Sequence, residues 1–409
     1  MRYDCVIIGG GLTGLTCGLA LQKAGKKVAI VTAGQSTLHF NSGSLDLLGR
    51  DERGQAVANP LAAIKSLSDS HPYHKVEDVA ATAQEAAALL AEAGLEAAGE
   101  AGANHYRMSP MGVMKPTWLT LGGMVTSPEA DRLPWRKVSL VNVKGFLDIP
   151  MEFLADNIAK MGAEVERMDF TTPELEQARR SPSEMRATNV EKVLERGDNL
   201  RKMIQAIGQL HPTGDVVMLP AFLGSAKDLG AQLGREIRFV ATLPPSVPGV
   251  RVQTALRRHF QQLGGTFFQN DTVRGGAWAK GRLESVATEN LAAERMEADS
   301  FVLATGSFQS RGLMSNYEGV YEPIFGLDVE ADANRANWTR AYFFDEQPYM
   351  AFGVRTDSHL HALKEGQPVG NLWAAGSVLC GNNAVKLMSR GGVEMLTAIQ
   401  TAKNILNRR

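Results

Sequence analysis

The stretch that most limits the fold of this chain lies at residues 5–34 and reads CVIIGGGLTGLTCGLALQKAGKKVAIVTAG. An apolar strand runs into the turn Gly9-x-Gly11-x-x-Gly14, a helix opens there, and a second strand follows at 28–31. In such a unit Gly9 permits the tight turn, Gly11 lets a diphosphate reach the backbone, and Gly14 lets helix and strand pack closely. The helix N-terminus offers N–H groups to an anion. The pattern predicts a dinucleotide-binding βαβ unit; the alternative is a Gly-rich turn without a ligand.

Thr32 ends the second strand, at a position where dinucleotide sites usually carry Asp or Glu. An acid there binds the adenosine ribose with charge-assisted hydrogen bonds, whereas a hydroxyl forms a weaker one. The Gly-rich turn therefore indicates a dinucleotide, which among flavin cofactors means FAD, while Thr32 leaves the adenosine half of the nucleotide less well specified.

Two later turns change the prediction from a general dinucleotide site to a flavin site. The strand SFVLATG ends at Thr305-Gly306, and NLWAAGSV carries Gly376-Ser377. Each alone is also typical of a buried strand with a Gly turn. Their order behind the first turn matches a flavoprotein layout, in which the Thr305-Gly306 turn comes close to the nucleotide and the Gly376 turn meets the ribityl chain. Ser377 stands where an acid is often found.

A helix that starts near Gly391-Gly392 follows the third turn. In the flavoprotein layout its N-terminus points at the flavin ring, because the positive end of a helix stabilises negative charge on a reduced flavin. We therefore expect Gly391 and Gly392 to contact the ring.

The loop HFNSGSLDL at 39–47 falls where flavoproteins of this layout bring a Ser/Gly stretch across the ring. Ser42, Gly43 and Ser44 offer a small, hydrogen-bonding surface suited to flavin N5. The alternative is an ordinary polar loop.

The segment ATLPPSVPGVRVQTALRRHF at 241–260 joins a proline-stiffened loop to a helix carrying Arg251. A rigid loop, a helix start and an arginine together favour a phosphate or carboxylate clamp. A solvated helix face is the more common explanation for such residues.

The rest of the chain predicts an α/β protein: a Rossmann-like FAD/NAD(P)-binding flavoprotein fold with an inserted second α/β cap or substrate domain. The flavin-binding domain is expected at 1–70 and 245–409, and the inserted domain at 71–244. Further elements are expected as a long amphipathic helix at 76–100, strands at 137–143, 163–170 and 214–222, helices at 148–162, 249–265 and 390–408, and a strand meander over 266–290.

Composition excludes several classes of protein. With 43 basic and 44 acidic residues and a net charge of −1, nothing favours nucleic acid or an anionic membrane surface. Cys5, Cys17 and Cys380 form no CxxC pair, which opposes a zinc site or an iron–sulfur cluster and suits a reducing cytoplasm. His39, His105 and His211 are isolated and lack metal-ligand spacing, and no metal is expected. The stretch MRYDCVIIGGG runs directly into a strand, so no signal peptide is expected, and the longest apolar runs are far shorter than the ~20 residues that span a bilayer.

The motifs also carry a family resemblance. The chain resembles the B subunit of the anaerobic glycerol-3-phosphate dehydrogenase family through LHFNSGSLDLL, VNVKGFLD, EMRATNV, LPPSVPGVRVQ, VLATGSFQSRGL, EPIFGLDV and NLWAAGSVL. The resemblance implies oxidation of sn-glycerol 3-phosphate to dihydroxyacetone phosphate, with electrons passed to quinone in anaerobic respiration. It also implies two partners, a larger flavoprotein subunit and a membrane-associated iron–sulfur subunit, and a place on the cytoplasmic face of the inner membrane through them. The cofactor it implies is FMN.

Oxidation of a secondary alcohol requires a base for the hydroxyl proton and a flavin to take the hydride. The chain offers His39 and His259 as candidate bases, and Arg251 and Arg390 as candidate phosphate anchors. Two alternatives stay open at this point. One is a non-catalytic or electron-relay partner that stabilises the larger flavoprotein subunit, and the other is an NAD-dependent dehydrogenase.

Overall fold

A computed structural model of the chain describes residues 1–223, 226–291 and 294–408. Its α-helices are α1 Leu12–Lys23, α2 Pro60–Ile64, α3 Val79–Glu92, α4 Met151–Lys160, α5 Pro173–Arg179, α6 Ala187–Leu194, α7 Asn199–Gln209, α8 Ala226–Leu233, α9 Val247–Gln262 and α10 Gly392–Leu406. Its strands are β1 Arg2–Ile8, β2 Val28–Thr32, β3 Ser44–Leu45, β4 Ala97–Ala98, β5 His105–Met108, β6 Met114–Thr117, β7 Leu119–Leu121, β8 Thr126–Ser127, β9 Lys137–Val143, β10 Glu164–Phe170, β11 Val216–Pro220, β12 Ile237–Val240, β13 Thr266–Gln269, β14 Val273–Ala279, β15 Arg282–Thr288, β16 Arg295–Leu303, β17 Met314–Ser315, β18 Val320–Tyr321, β19 Val329–Glu330, β20 Gly353–Val354, β21 His361–Lys364 and β22 Gln367–Ala374.

The chain forms two compact units. Within the described residues, unit 1 comprises Met1–Thr37, Leu45–Leu95 and Gln253–Arg409, and unit 2 comprises Leu38–Ser44 and Glu96–Val252. This division differs from the expected domain boundaries. Residues 71–95 belong to unit 1 because α3 packs on α1 and α10. Residues 38–44 and 245–252 belong to unit 2.

Unit 1 is built on a parallel sheet whose strands lie in the order β13-β2-β1-β16-β22. The strands β15 and β14 extend it in antiparallel fashion from the first half of β16, and β21 pairs antiparallel with β22. All five residues of β2 are buried, as expected of a central parallel strand. This is the predicted Rossmann-like arrangement.

The opening βαβ unit forms as the sequence predicts. Helix α1 is buried over most of its surface because it packs on α10 as well as on the sheet. A helix buried on several faces needs apolar or small residues all round, which explains the weak amphipathic pattern of LTGLTCGLALQK.

Two expected elements differ from the structure. The expected helix at 76–100 is shorter: Asp78 caps α3 by accepting a hydrogen bond from the Ala81 N–H (2.9 Å), and Gly94 then turns the chain with a φ of +79°. The expected meander over 266–290 is wrong for its first strand. β13 pairs in parallel with β2, because α9 carries the chain back to the amino end of the sheet before β13 begins.

Unit 2 contains a second parallel sheet, in the order β10-β9-β11-β12. Helix α4 packs on β10 and α8 on β12, as in βαβ crossovers. The core of the unit is apolar; every residue of β11 is buried, and so are six of the seven residues of β9. The three predicted strands of this region are therefore present.

The buried carboxylate of Asp148 joins three segments of unit 2. It accepts hydrogen bonds from the Arg186 guanidinium and from the Ala187 N–H (2.7 Å), the first residue of α6. The backbone carbonyl of Asp148 accepts from the Leu243 N–H (2.8 Å), just beyond β12. The Asp148 side chain is fully buried, whereas that of Arg186 is 45% exposed. Asp148 thus fixes the start of α6 through its carboxylate and the segment after β12 through its backbone carbonyl.

Among the described residues, no helix combines the length and the apolar character that crossing a lipid bilayer requires.

We predict that Asp148→Asn lowers the free energy of unfolding of unit 2 by roughly 2–3 kcal/mol. The substitution keeps the shape of the side chain but removes the charge that Arg186 and Ala187 need, and Arg186 can regain water because it is half-exposed. Urea titration followed by circular dichroism measures the change. Asp156→Asn on the exposed face of α4 is the control and should change stability by less than about 0.5 kcal/mol. Equal effects of the two substitutions would contradict the anchoring role.

Candidate functional site

Three glycine turns meet at the carboxyl edge of the parallel sheet of unit 1. Ile8 pairs with Leu303, and Leu303 pairs with Ala374, so β1, β16 and β22 end side by side. Gly9, Gly306 and Gly376 follow these strand ends within three residues. The carboxyl edge of a parallel α/β sheet is where such folds bind ligands. The turns that the sequence predicted to act together are therefore neighbours.

The first turn admits only glycine at two positions. A Cβ on Gly14 would lie 1.8 Å from the Gly9 carbonyl oxygen, and a Cβ on Gly9 would lie 2.1 Å from the carbonyl oxygen of Ala304. Gly9 also has a φ of +118°. Backbone thus touches backbone between β1, α1 and the segment after β16.

Gly11 is different, because the space beside it is open. The nearest atom to a Cβ placed there is the Ser36 Cβ, at 3.6 Å. Gly11 is also the N-cap of α1, and neither a capping side chain nor an acidic residue lies in the first turn of that helix. The first N–H groups of a helix lack intrahelical partners and attract anions. This cradle fits the diphosphate of a dinucleotide.

Thr32 lies next to this cradle, but its hydroxyl donates to the Gly34 carbonyl oxygen (3.1 Å). A Cβ on Gly10 would lie 2.8 Å from the Thr32 Cβ, so the two residues pack tightly. Close by, the Ser36 hydroxyl donates to the amide oxygen of Gln253 (2.8 Å). The Ser36–Gln253 pair supplies polar groups beside Gly11 where the usual acid is missing. Sequence reasoning missed it, since the two residues are far apart in the chain.

The second turn contains a hydroxyl that is available to form a hydrogen bond to a ligand. The Thr305 hydroxyl is buried and has no hydrogen-bond partner among the described residues. A buried hydroxyl without a partner is costly, and a bound group would satisfy it. Gly306 has a φ of +78°, and a Cβ there would lie 2.2 Å from the Ser310 hydroxyl oxygen.

The third turn is tied to both flanking helices. A Cβ on Gly376 would lie 2.1 Å from the Thr13 hydroxyl oxygen in α1, and the Gly376 N–H donates to the Thr397 hydroxyl of α10 (2.8 Å). The Ser377 hydroxyl oxygen would lie 3.5 Å from a Cβ placed on Gly306. The second and third turns therefore adjoin each other, and α1 and α10 hold the third in place.

The start of α10 is already capped by the chain itself. The Gly391 N–H donates to the Glu394 carboxylate (2.7 Å), and the Gly392 N–H donates to the Asp46 carbonyl oxygen (3.0 Å). Burial raises the pKa of Glu394, while the hydrogen bond from Gly391 acts in the opposite direction. The N-terminus of α10, which we expect to face a flavin ring, is therefore already bound by a carboxylate of the same chain. A Glu three residues after a helix cap is the signal that sequence reasoning overlooked.

A buried histidine supports the loop before α10. His71 is 1% exposed; its Nδ1 accepts from the Tyr73 N–H (3.2 Å), so its Nε2 carries the proton and donates to Asn382 (3.2 Å). The Ser389 hydroxyl donates to the same Asn382 oxygen (2.8 Å). Burial lowers the pKa of His71 to about 4. The imidazole is neutral at physiological pH and is fully used in positioning this loop.

The candidate base His259 lies away from the glycine turns. It is near the C-terminal end of α9, and the chain then enters β13, whose first residue pairs with Ala29 at the start of β2. That is the amino edge of the sheet, whereas the turns lie at the carboxyl edge. The crossover direction of α9 explains the separation, and this placement opposes His259 as the base.

Arg390, by contrast, lies within the neighbourhood of the turns. It directly precedes Gly391, is exposed, and donates to the side-chain oxygen of Gln309 (3.3 Å), three residues after Gly306. Its position is compatible with the predicted role as an anion anchor.

The remaining predicted residues, His39, Ser42, Gly43, Ser44 and Arg251, lie in unit 2. The loop containing the first four packs against the segment LPPSVPGVR. The Ser246 hydroxyl donates to the Asn41 carbonyl oxygen, the Ser246 N–H donates to the His39 carbonyl oxygen (2.8 Å), and a Cβ on Gly249 would lie 2.0 Å from the Leu38 oxygen. Two separate sequence motifs therefore form one structure.

Within that loop the backbone is set by local hydrogen bonds. Gly43 has a φ of +84°, its N–H donates to the Asn41 side chain (2.8 Å), and its carbonyl oxygen accepts from the Leu121 N–H (2.8 Å). The Ser42 and Ser44 hydroxyl oxygens lie 3.5 Å apart. The loop has a defined structure, and its contact with a flavin ring stays a prediction.

Arg251 lies near the start of α9 and is exposed. Its charge acts on Glu191 of α6. Burial raises the pKa of Glu191 to about 7, Glu195 adds to that effect, and Arg251 opposes it. The anchoring role of Arg251 stays a prediction.

Comparisons with known proteins agree with this geometry. A family model described as FAD binding domain matches residues 4–392. A protein of Yersinia enterocolitica (serotype O:8 / biotype 1B), named as the B subunit of anaerobic glycerol-3-phosphate dehydrogenase, is 40% identical over 418 positions that cover 100% of this chain and 99% of that protein. Proteins of the same name from Pectobacterium atrosepticum and Vibrio cholerae serotype O1 are 37% and 34% identical, over 99% of this chain and 99% and 97% of theirs.

The match to the FAD binding domain family confirms the predicted flavoprotein fold. It also selects FAD, which the Gly-rich turn indicated, over the FMN that the family resemblance implied.

We predict that Gly11→Ala weakens FAD binding at least tenfold and leaves the flavin-free protein as stable as the wild type. The added methyl meets no protein atom closer than 3.6 Å, but it occupies the space of the diphosphate. Gly102→Ala, which meets nothing within 4 Å, is the control, and Gly14→Ala should destabilise the fold itself. Flavin absorbance and thermal unfolding measure both properties, and the nucleotide released on denaturation should have the mass of FAD. Normal FAD binding by Gly11→Ala would exclude the cradle.

We predict that unit 1 loses stability as the pH falls from about 6.5 towards 4, in part because of His71. Its pKa is lower in the folded than in the unfolded state, so unfolding takes up a proton in this range. The contribution of His71 is on the order of 3 kcal/mol and is fully present only above about pH 6.5. His71→Gln should lower stability at pH 7 but flatten the acid dependence. The exposed His359→Gln should keep the wild-type slope, and an unchanged slope in His71→Gln would contradict the prediction.

Proposed function

The chain belongs to the family formed by the B subunit of anaerobic glycerol-3-phosphate dehydrogenase, as its motifs predicted, and from this membership we propose that it is the FAD-holding subunit of a quinone-linked dehydrogenase. The reaction is the oxidation of the CH–OH group of sn-glycerol 3-phosphate to dihydroxyacetone phosphate under anaerobic conditions, carried out with a partner catalytic subunit. The observation that carries the proposal is the cradle formed by the three glycine turns at one sheet edge.

Different residues of unit 1 bind different parts of FAD. The N-terminus of α1 and Gly11 bind the diphosphate, and the Ser36–Gln253 pair takes the ribose role that Thr32 leaves open. Thr305 and the Gly376-Ser377 turn meet the remainder of the nucleotide. When bound, FAD supplies a two-electron acceptor for the hydride of the alcohol.

Substrate binding requires a cationic anchor and a base. Arg390 at the start of α10 is the anchor candidate in unit 1, and Arg251 is the one in unit 2. Arginine suits a phosphate monoester because its planar donors bind two oxygens at once. His39 is the base candidate, since His259 lies at the amino edge of the sheet. The Ser42–Ser44 segment that follows His39 in the chain is the proposed flavin-facing loop.

The name of the family marks its members as one subunit of a larger enzyme. We propose two partners: a larger flavoprotein subunit and a membrane-associated iron–sulfur subunit. Through them the chain is held on the cytoplasmic face of the inner membrane, and its electrons reach the quinone pool. The near-neutral net charge of −1 gives no role to nucleic acid.

A second candidate function is an electron-relay or non-catalytic role that stabilises the larger flavoprotein subunit. The observation that favours it is the Glu394 carboxylate, which caps the helix end that would otherwise stabilise a reduced, negatively charged flavin. A protein in this role retains the fold without oxidising the substrate itself.

We predict that a complex assembled with Gly11→Ala in this chain reduces quinone at least tenfold more slowly with sn-glycerol 3-phosphate than the wild-type complex. Loss of FAD from this chain should break the electron path even though the larger partner keeps its own flavin. Steady-state quinone reduction by the purified complex measures the effect, and the Gly102→Ala complex is the control. Full activity of an FAD-depleted Gly11→Ala complex would favour the non-catalytic role.

A further inference from the structure

An irregular segment of unit 1 exposes three consecutive aromatic side chains. We call residues 332–347 the aromatic loop; at its tip Tyr342, Phe343 and Phe344 are 76%, 86% and 96% exposed. The Phe343 and Phe344 rings pack edge to face on each other, with centroids 5.2 Å apart. Large aromatic residues are normally at least partly covered, so three in succession on a surface require an explanation.

The tip is held in one conformation by a single glutamine. The Gln347 amide donates to the Tyr342 carbonyl oxygen (2.9 Å) and to that of Asp345 (3.2 Å), and it accepts from the Arg340 N–H (2.9 Å). The Asp345 N–H donates to the Tyr342 carbonyl oxygen (3.1 Å), which closes the turn. The backbone is thus organised while the aromatic rings point to solvent.

The base of the loop is fixed in the same way. The Trp338 indole donates to the Asp332 carbonyl oxygen (2.7 Å), and the Asn337 amide donates to the Asp332 carboxylate (2.9 Å). The Asn337 amide and the Asn334 N–H lower the pKa of Asp332. Glu346 forms an ion pair with Lys386 (2.6 Å). Long loops without regular structure are usually functional or disordered, and this one is fixed by its own hydrogen bonds.

A fixed, exposed aromatic cluster has the properties of an interface core. Each aromatic side chain buries about 150–250 Å² when it is covered. Three of them supply roughly half to nine-tenths of the 800 Å² or so that each partner contributes to a standard interface. Because the loop is already ordered, binding costs little conformational entropy.

The charges of the loop favour a protein over a membrane. The loop contains three acidic residues and two basic ones, which are Asp332, Asp345, Glu346, Arg335 and Arg340. Lys386, outside the loop, forms an ion pair with Glu346. Segments that bind anionic bilayers carry an excess of Lys and Arg around their apolar residues, and this loop has no such excess.

We infer that the aromatic loop is the docking element for another subunit of the complex, whose surface offers an apolar pocket with a mixed polar rim. This inference rests on the proposed function, because it takes the larger flavoprotein subunit as the occupant. Tyr342, Phe343 and Phe344 form the centre of the contact, and Arg340 and Asp345 lie at its edge.

The test uses the full chain, tagged and co-expressed with the larger flavoprotein subunit. Phe343→Ser/Phe344→Ser should reduce recovery of that subunit about tenfold or more, as expected on removal of central aromatic contacts. The matched control is Phe153→Ser/Leu200→Ser, two apolar residues of unit 2 that are 60% and 37% exposed, and it should recover the partner normally. The FAD content and the thermal midpoint of the isolated chain should be unchanged, since the rings support no other part of the described fold. Phe344→Ser alone, at the most exposed position, should give an intermediate loss of partner recovery. It replaces the double variant in the test if the double variant is unstable.

Other results would overturn the inference. Equal recovery by the variant and the wild type excludes this docking element but leaves the proposed function intact. Failure of the wild-type chain to bind the larger subunit overturns both. If the wild-type chain floats with phosphatidylglycerol-containing vesicles and the double variant does not, the loop is assigned to membrane binding. A concentration-dependent dimer of the isolated chain that the variant loses would assign it to self-association.

Discussion

The approach of backbone to backbone around Gly9 and Gly14 is the constraint on which unit 1 depends. Because no side chain separates Gly14 from the Gly9 carbonyl or Gly9 from Ala304, helix α1 and strand β16 lie as close to β1 as their main chains allow. That closeness leaves Thr13 within reach of the Gly376 turn, and through Thr397 it fixes α10 as well. The open space at Gly11 is what remains once these contacts are made. The binding cradle is therefore a consequence of how tightly the rest of the unit packs.

Much of this arrangement could be predicted from the sequence because its signals are local. Glycines at fixed spacing after apolar strands predicted the three turns, and apolar strands alternating with helices predicted a Rossmann-like α/β fold with an inserted second α/β domain. The pairing of Ser36 with Gln253 could not be predicted, since no local pattern joins residues on opposite sides of an inserted unit. The location of His259 could not be predicted from the sequence for a related reason. Its chemistry was suitable, but only the direction of α9 relative to the sheet determines which edge it reaches.

Unit 2 gives a reason for sequence motifs that were known only by their resemblance to a family. LHFNSGSLDLL and LPPSVPGVRVQ are distant in sequence, yet Ser246 and Gly249 pack directly on Leu38 and Asn41. VNVKGFLD and EMRATNV meet in the same way through Asp148 and Arg186. Motifs that belong to a single family can therefore be two halves of one packed structure, each limiting the side chains that the other accepts.

The placement of β1 has a consequence for the order in which the molecule is completed during synthesis. β1 is made first, but its neighbour β16 and the Gly376 and Thr397 positions are made last, after all of unit 2. At about 5–20 residues per second β1 can pair early with β2 but waits roughly tens of seconds for β16, while the local βαβ units of unit 2 can fold on the way. A ribosome product that stops before α10 contains all three glycine turns but lacks Thr397, whose hydroxyl holds the Gly376 turn. The third turn therefore gains its support from α10 only when nearly the whole chain has been made.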